Sequence, residues 1–183
     1  MALLGVAMPV TLVTGALAGA VGTIAMDRLW YARYRRGGGT DGFADWELSS
    51  GTTGFDDAGA PAQVGKHIYE AVLRRPIPDA SARLANNVVH WSTGVQWGVG
   101  YALVASRRGR VRWTDGFVLG PVACGAAYAL LPAIDVYQPI WEYRPAVLLQ
   151  DLSAHLVFGV TTATALRVLA GRSGRSRSGR HTT

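Results

Sequence analysis

Four stretches of almost unbroken apolar residues, parted by polar segments, set the pattern of this chain. They cover residues 5–29, 84–106, 116–134 and 146–168. A bilayer core about 30 Å thick is crossed by roughly 20 helical residues, so each stretch is long enough to span. Residues 1–26 hold no charged side chain, and residues 84–106 and 116–134 hold no Lys, Arg, Asp or Glu. The fourth stretch carries one carboxylate, Asp151, near its start. The pattern predicts an all-α, polytopic integral membrane protein: a four-transmembrane-helix bundle making a single membrane domain over residues 1–170. Ala16-Leu17-Ala18 looks like a leader-cleavage site, but no basic residues precede it and apolar sequence runs on to Met26, so a retained first span is expected.

The polar segments differ in kind. Trp30, Tyr31 and Tyr34 close the first span with aromatic groups that favour the headgroup level. Within the extramembrane loop 37–83, residues 37–60 are rich in Gly, Asp, Ser and Thr and show no periodicity, which predicts a flexible stretch. Residues 63–73 instead place Val64, Ile68 and Val72, with Ala71, at helical spacing, and turn Lys66, Glu70 and Arg74 away. This predicts one short amphipathic interfacial helix, stopped by Pro76 and Pro78. Pro121 is expected to bend the third span. Residues 171–183 alternate Arg, Ser and Gly and predict a disordered basic tail.

Composition changes the picture little. Charged residues make up 16% of the chain against about 25% in soluble domains, which favours the membrane reading. The formal charge of +6 comes largely from arginines beside apolar spans. The expected partners are therefore membrane lipids, with anionic headgroups meeting the arginine-rich loop and tail, and no nucleic acid. A protein partner or a homo-oligomer is compatible with the same surface. The single Cys124 excludes an intramolecular disulfide. Four crossings put both termini and the 107–115 loop on one side. Arg107, Arg108, Arg110, Arg112 and the arginines from Arg167 onward make that side cytoplasmic by the positive-inside rule, against the contrary pull of Arg28, Arg33, Arg35 and Arg36.

The candidate chemistry gathers at one membrane face. Span one ends, span two begins, span three ends and span four begins there, and those ends carry Asp27, Asn86, Asn87, His90, Asp135, Asp151 and His155, with Glu142 in the adjoining loop. Intramembrane polar groups are costly and usually face the bundle interior. A polar vestibule of Asp27, Asn87, His90, Glu142, Asp151 and His155 is therefore expected. Asp151 and His155 are i, i+4 neighbours on one helix face. Asp27 and Asp135 also fit the simpler role of helix-end groups reaching water. Gly15, Gly19, Gly94, Gly98 and Gly159 are candidate helix-packing positions. No His-x-x-x-His pair, cysteine ligand, nucleophile elbow or phosphate loop is present, so no metal site, no cofactor and no enzymatic reaction are expected.

His90-Trp91, Gly100-Tyr101, Trp113, Trp141-Glu142-Tyr143 and the run Asp151-Leu152-Ser153-Ala154-His155-Leu156 together resemble the YagU-like family of bacterial inner-membrane proteins. The resemblance covers about residues 84–170, is weaker in span one and is absent from the 37–83 loop and the tail. It implies an inner-membrane protein with polar positions at His90, Glu142, Asp151 and His155, a link to membrane function under acid stress, and no assigned reaction. The third span departs from the pattern, offering Ala126, Ala127 and Tyr128 where a polar or histidine residue is sought. The leading expectation is a non-enzymatic accessory or stress-related protein of the inner (plasma) membrane with both termini cytoplasmic. Two other expectations stay open: a small proton, ion or solute carrier using an Asp–His pair, and a haem- or metal-binding or lipid- or quinone-acting membrane protein.

Overall fold

A computed structural model describes residues 8–178, with side chains to residue 171, and every regular element among them is helical. In chain order these are α1 (Met8–Arg36), α2 (Phe43–Glu47), α3 (Ala60–Leu73), α4 (Ala82–Arg107), α5 (Gly116–Leu130) and α6 (Pro145–Ser178). Short 3-10 turns occupy Asp79–Ser81, Trp113–Asp115, Leu131–Ile134 and Ile140–Glu142. Residues 5–7 of the expected first span and 179–183 of the expected tail lie outside the described residues.

Met8–Arg36, Trp113–Ile134 and Pro145–Gly171 are long and apolar enough to cross a membrane. α4 has the length, 26 residues, or about 39 Å at 1.5 Å per residue. Asn86, Asn87, His90, Ser92, Thr93 and Gln96 dilute its apolar character, so three of the four expected spans stand on apolarity. Two expectations are corrected. The tail expected from residue 171 is helix as far as Ser178. No proline follows Pro145 in α6, so the helix started by the apolar run propagates past Gly171 and Gly174. The second correction concerns residues 37–60, described below.

The described residues pack as two compact units, one of residues 8–26, 94–123 and 152–178, the other of residues 27–93 and 124–151. In the first unit the helices meet at glycine. A Cβ at Gly98 would stand 2.5 Å from both Cα and N of Gly19, and one at Gly15 would stand 2.7 Å from Ala102 Cβ. Real carbon atoms do not approach so closely, so only hydrogen fits between α1 and α4 here. α5 and α6 meet in the same way, where a Cβ at Gly159 would stand 2.5 Å from the Gly120 nitrogen. Gly22 faces Phe158 and Thr162. The core around these seams is Ala18, Tyr101, Ala102, Ala105, Leu119, Phe158, Ala163 and Leu166. The Tyr101 hydroxyl donates to Asp115 Oδ2 at 3.1 Å, tying α4 to the connection that follows it.

In the second unit residues 37–60 are ordered rather than flexible. The Tyr34 hydroxyl accepts the Thr40 and Asp41 N–H groups, both at 3.2 Å, and donates to Asp41 Oδ2 at 2.6 Å. Tyr31, Tyr34, Phe43 and Trp46 then stack in one aromatic cluster. Phe55 is buried with Ala62 and Ala82, and α3 lies on α4 where Gly65 meets Ala85 and Val89. The amphipathic helix begins at Ala60, three residues before the expected start, because Pro61 suits the first helical turn. It ends at Leu73, with Arg74 in the left-handed conformation. Ile68, Val72 and Leu73 are exposed along its outer side.

Asp57 stabilises the turn before α3. Its carboxylate accepts the Gly54 N–H at 3.0 Å and the Thr53 N–H at 3.2 Å, and these bonds hold its pKa below the usual carboxylate range. A depressed folded pKa adds stability above the unfolded value, about 3.9, and loses it as pH falls through the folded one. The Gly54 amide is therefore expected to lose hydrogen-exchange protection as the solution is acidified below about pH 4. Asp57→Ala should remove that protection at every pH. Protection at Gly54 that is independent of both pH and the substitution would contradict this account of the turn.

Candidate functional site

One buried carboxylate anchors the site. Asp27 is only 3% exposed, although it lies on the apolar helix α1. A lone charge there would be strongly disfavoured, and the compensation comes from α4. His90 Nε2 lies 2.9 Å from Asp27 Oδ2. The helices that carry these two residues thus place an acid and an imidazole, 63 positions apart in sequence, within one hydrogen bond.

The third member comes from the segment expected to be flexible. Glu47 is the last residue of α2, and its carboxyl faces Asp27 and His90. Burial, followed by the negative charge of Asp27, pushes its pKa up to about 7. Glu47 Oε1 is buried and has no hydrogen-bond partner among the described residues. One oxygen of Asp27, one of Glu47 and a ring nitrogen of His90 all lie within 4.8 Å of one another.

The first turns of α4 hold Glu47 in place. Arg83 Nε and Asn87 Nδ2 each donate to the Leu48 carbonyl at 2.9 Å, and Asn86 Nδ2 donates to Ser49 Oγ at 2.8 Å. Ser49 adopts the left-handed conformation, φ 50°, which turns the chain sharply after α2. Around the cluster lies a cavity of about 290 Å³ lined by Asp27, Trp30, Trp46, Glu47, Ser49, Gly59, Pro61, Asn86 and His90. Trp30, Trp46 and Pro61 contribute apolar walls, while Asp27, Glu47, Ser49, Asn86 and His90 contribute polar ones. Such a combination of apolar walls with a few aimed polar groups is what small ligands and ions use.

The expected vestibule residues are placed as follows. Asp27 and His90 come together. Asn87 stands one turn away and acts on the backbone of Leu48. Glu142 sits in the 3-10 turn Ile140–Glu142, exposed, and Asp151 accepts a hydrogen bond from the Tyr128 hydroxyl. Neither lines the Asp27 cavity. Tyr128, Tyr137 and Tyr143 pack ring against ring beside Asp151, where burial and then the Asp151 charge raise Tyr137 to about 12. His155 is in the first unit on α6, with its backbone carbonyl against Gly120. Sequence reading missed Glu47, Trp46 and Ser49. The usable signal was the Phe43–Trp46 pair, two aromatics one helical turn apart in a polar stretch. It also passed over Tyr128 as a partner for Asp151, and over Gly22, Gly116 and Gly120 as packing positions.

Comparisons with protein-family models, with curated proteins and with solved structures found no match to this chain.

Proposed function

We propose that this chain is a four-span inner-membrane protein, with both termini cytoplasmic, that acts without covalent chemistry by holding a small polar or cationic ligand in a vestibule at one membrane face. The observation that carries the reading is the Asp27–His90 pair, one partner almost fully buried, opening with Glu47 into a cavity. A buried ion pair contributes little net stability compared with packed hydrocarbon, so its presence at the end of apolar helices points to use rather than support. Nothing in the cluster resembles a nucleophile with its base, which favours binding over catalysis. α4 serves as the fourth span: its polar residues concentrate in its first half, while its second half packs on α1 through Gly94 and Gly98. The resemblance of residues 84–170 to the YagU-like family supports the inner membrane as the location, and an accessory or stress-related role fits a binding protein.

Side-specific thiol labelling in sealed vesicles tests this. In a Cys124→Ala background, Ser49→Cys should react with a membrane-impermeant maleimide from the outer face only, and Arg110→Cys from the cytoplasmic face only. Reaction of both from the same face would overturn the four-span vestibule.

A further inference from the structure

We infer that Asp27, Glu47 and His90 form a binding site for a divalent first-row transition-metal cation of the zinc class. The inference rests on the vestibule reading and names its ligand.

Three separate elements, α1, α2 and α4, each send one donor to a common point, and the three donor atoms lie within 4.8 Å of one another. Tetrahedral Zn–N and Zn–O bonds of about 2.0–2.2 Å set two ligand atoms on one ion roughly 3.4 Å apart. A donor pair as wide as 4.8 Å therefore closes by roughly 1.4 Å around zinc, a movement within reach of rotation about the Glu47 side-chain bonds. One imidazole nitrogen with two carboxylate oxygens is a borderline donor set. It suits zinc, manganese, iron(II) or cobalt(II), whereas copper(I) selects sulfur ligands and calcium needs six to eight oxygens. The only cysteine, Cys124, does not line the cavity.

Charge and hydrogen bonding point the same way. Asp27 and Glu47 repel one another when both are ionised, and a single histidine then offsets at most one of them. A divalent cation neutralises both. It also gives Glu47 Oε1, buried and otherwise without a partner among the described residues, a strong electrostatic partner. The pre-set parts of a metal site are present too: the Arg83, Asn86 and Asn87 hydrogen bonds to residues 48–49 fix the chain beside Glu47 before any ion arrives. Three protein ligands leave further coordination positions facing the cavity.

Zinc titration of the detergent-purified full chain, by calorimetry with metal content checked by mass spectrometry, decides the matter. Wild type should bind one more zinc equivalent than Glu47→Gln, or bind it at least about 10-fold more tightly, the lower end of what losing even an outer partner of a metal ligand costs. Glu47→Gln keeps the Asp27–His90 pair and so retains the fold. Asp27→Asn serves as the second variant, with the same loss expected. Equal zinc stoichiometry and affinity in wild type and both folded variants overturns the cation site, as does the absence of zinc binding by wild type. If Ser49→Cys still labels from the outer face only, that failure leaves the vestibule standing. If Ser49→Cys and Arg110→Cys label from the same face, the vestibule reading itself has failed, whatever zinc does.

Discussion

Gly98→Leu is expected to leave little folded protein in detergent extracts, or to lower its stability by about 3 kcal/mol or more, at or above the top of the usual range for overpacked sites. The reason lies in what a side chain would meet. A Cβ at Gly98 falls against the Gly15 carbonyl and stands 2.5 Å from Gly19 Cα, and both are backbone. Backbone of a helix cannot rotate away as a side-chain tip can, so α1 and α4 must separate along the seam. Gly120→Leu should behave alike, since its Cβ would meet the His155 carbonyl and stand 3.0 Å from Leu156 Cα. Gly100→Leu is the matched control: it lies on α4 with nothing within 4 Å of its Cβ position. Thermal unfolding of the variants in one detergent measures the difference. Equal midpoints for Gly98→Leu and Gly100→Leu would mean that the helices do not meet at these glycines.

The second large effect is expected at the ion pair. His90→Ala should destabilise the protein by about 3 kcal/mol, the lower end for breaking a buried pair, because it leaves Asp27 beside Glu47 without a cationic partner. The lower end applies because the His90 side chain is 24% exposed against 4% for Asp27, so water screens part of the interaction. Asp27→Asn removes the stranded charge, and the double variant His90→Ala/Asp27→Asn should recover much of the loss. A double-mutant cycle should then show a coupling of about 1 kcal/mol or more. Strict additivity would mean that the two side chains act independently.

What sequence could show of this fold depended on whether the information was local. Apolar runs are local, so α1, α5 and α6 are legible as membrane-length helices, and the Gly15–Gly19 and Gly94–Gly98 spacings are visible as strips on single helices. That these two strips face each other, with Thr23 beside Gly94, is a pairing between distant helices that a single sequence does not record. α4 reads as apolar by its lack of formal charge. Its amide, hydroxyl and imidazole side chains nevertheless interrupt the apolar run, so it does not count among the helices apolar enough to cross a membrane.

The site was legible only in part, for the same physical reason. Asp27 and His90 stand out as polar groups near the ends of apolar stretches. Glu47 does not, because nothing in residues 37–60 orders that segment by periodicity. Its order comes from Tyr34 closing the turn at Thr40 and Asp41, and from Arg83, Asn86 and Asn87 reaching back across more than thirty positions to residues 48–50. Side-chain hydrogen bonds at that separation leave no local signature. Composition alone, rich in Gly, Ser and Asp, pointed to flexibility and so concealed the turn that carries Glu47.

On the proposed function, the Asp27–Glu47–His90 cavity holds a ligand. Native mass spectrometry of protein taken from membranes without chelators and released from detergent tests it most directly. The account predicts a small non-lipid adduct on the wild-type chain that is absent from the Asp27→Asn/His90→Ala variant. Identical bare masses for the two proteins, or the same adduct on both, would contradict it.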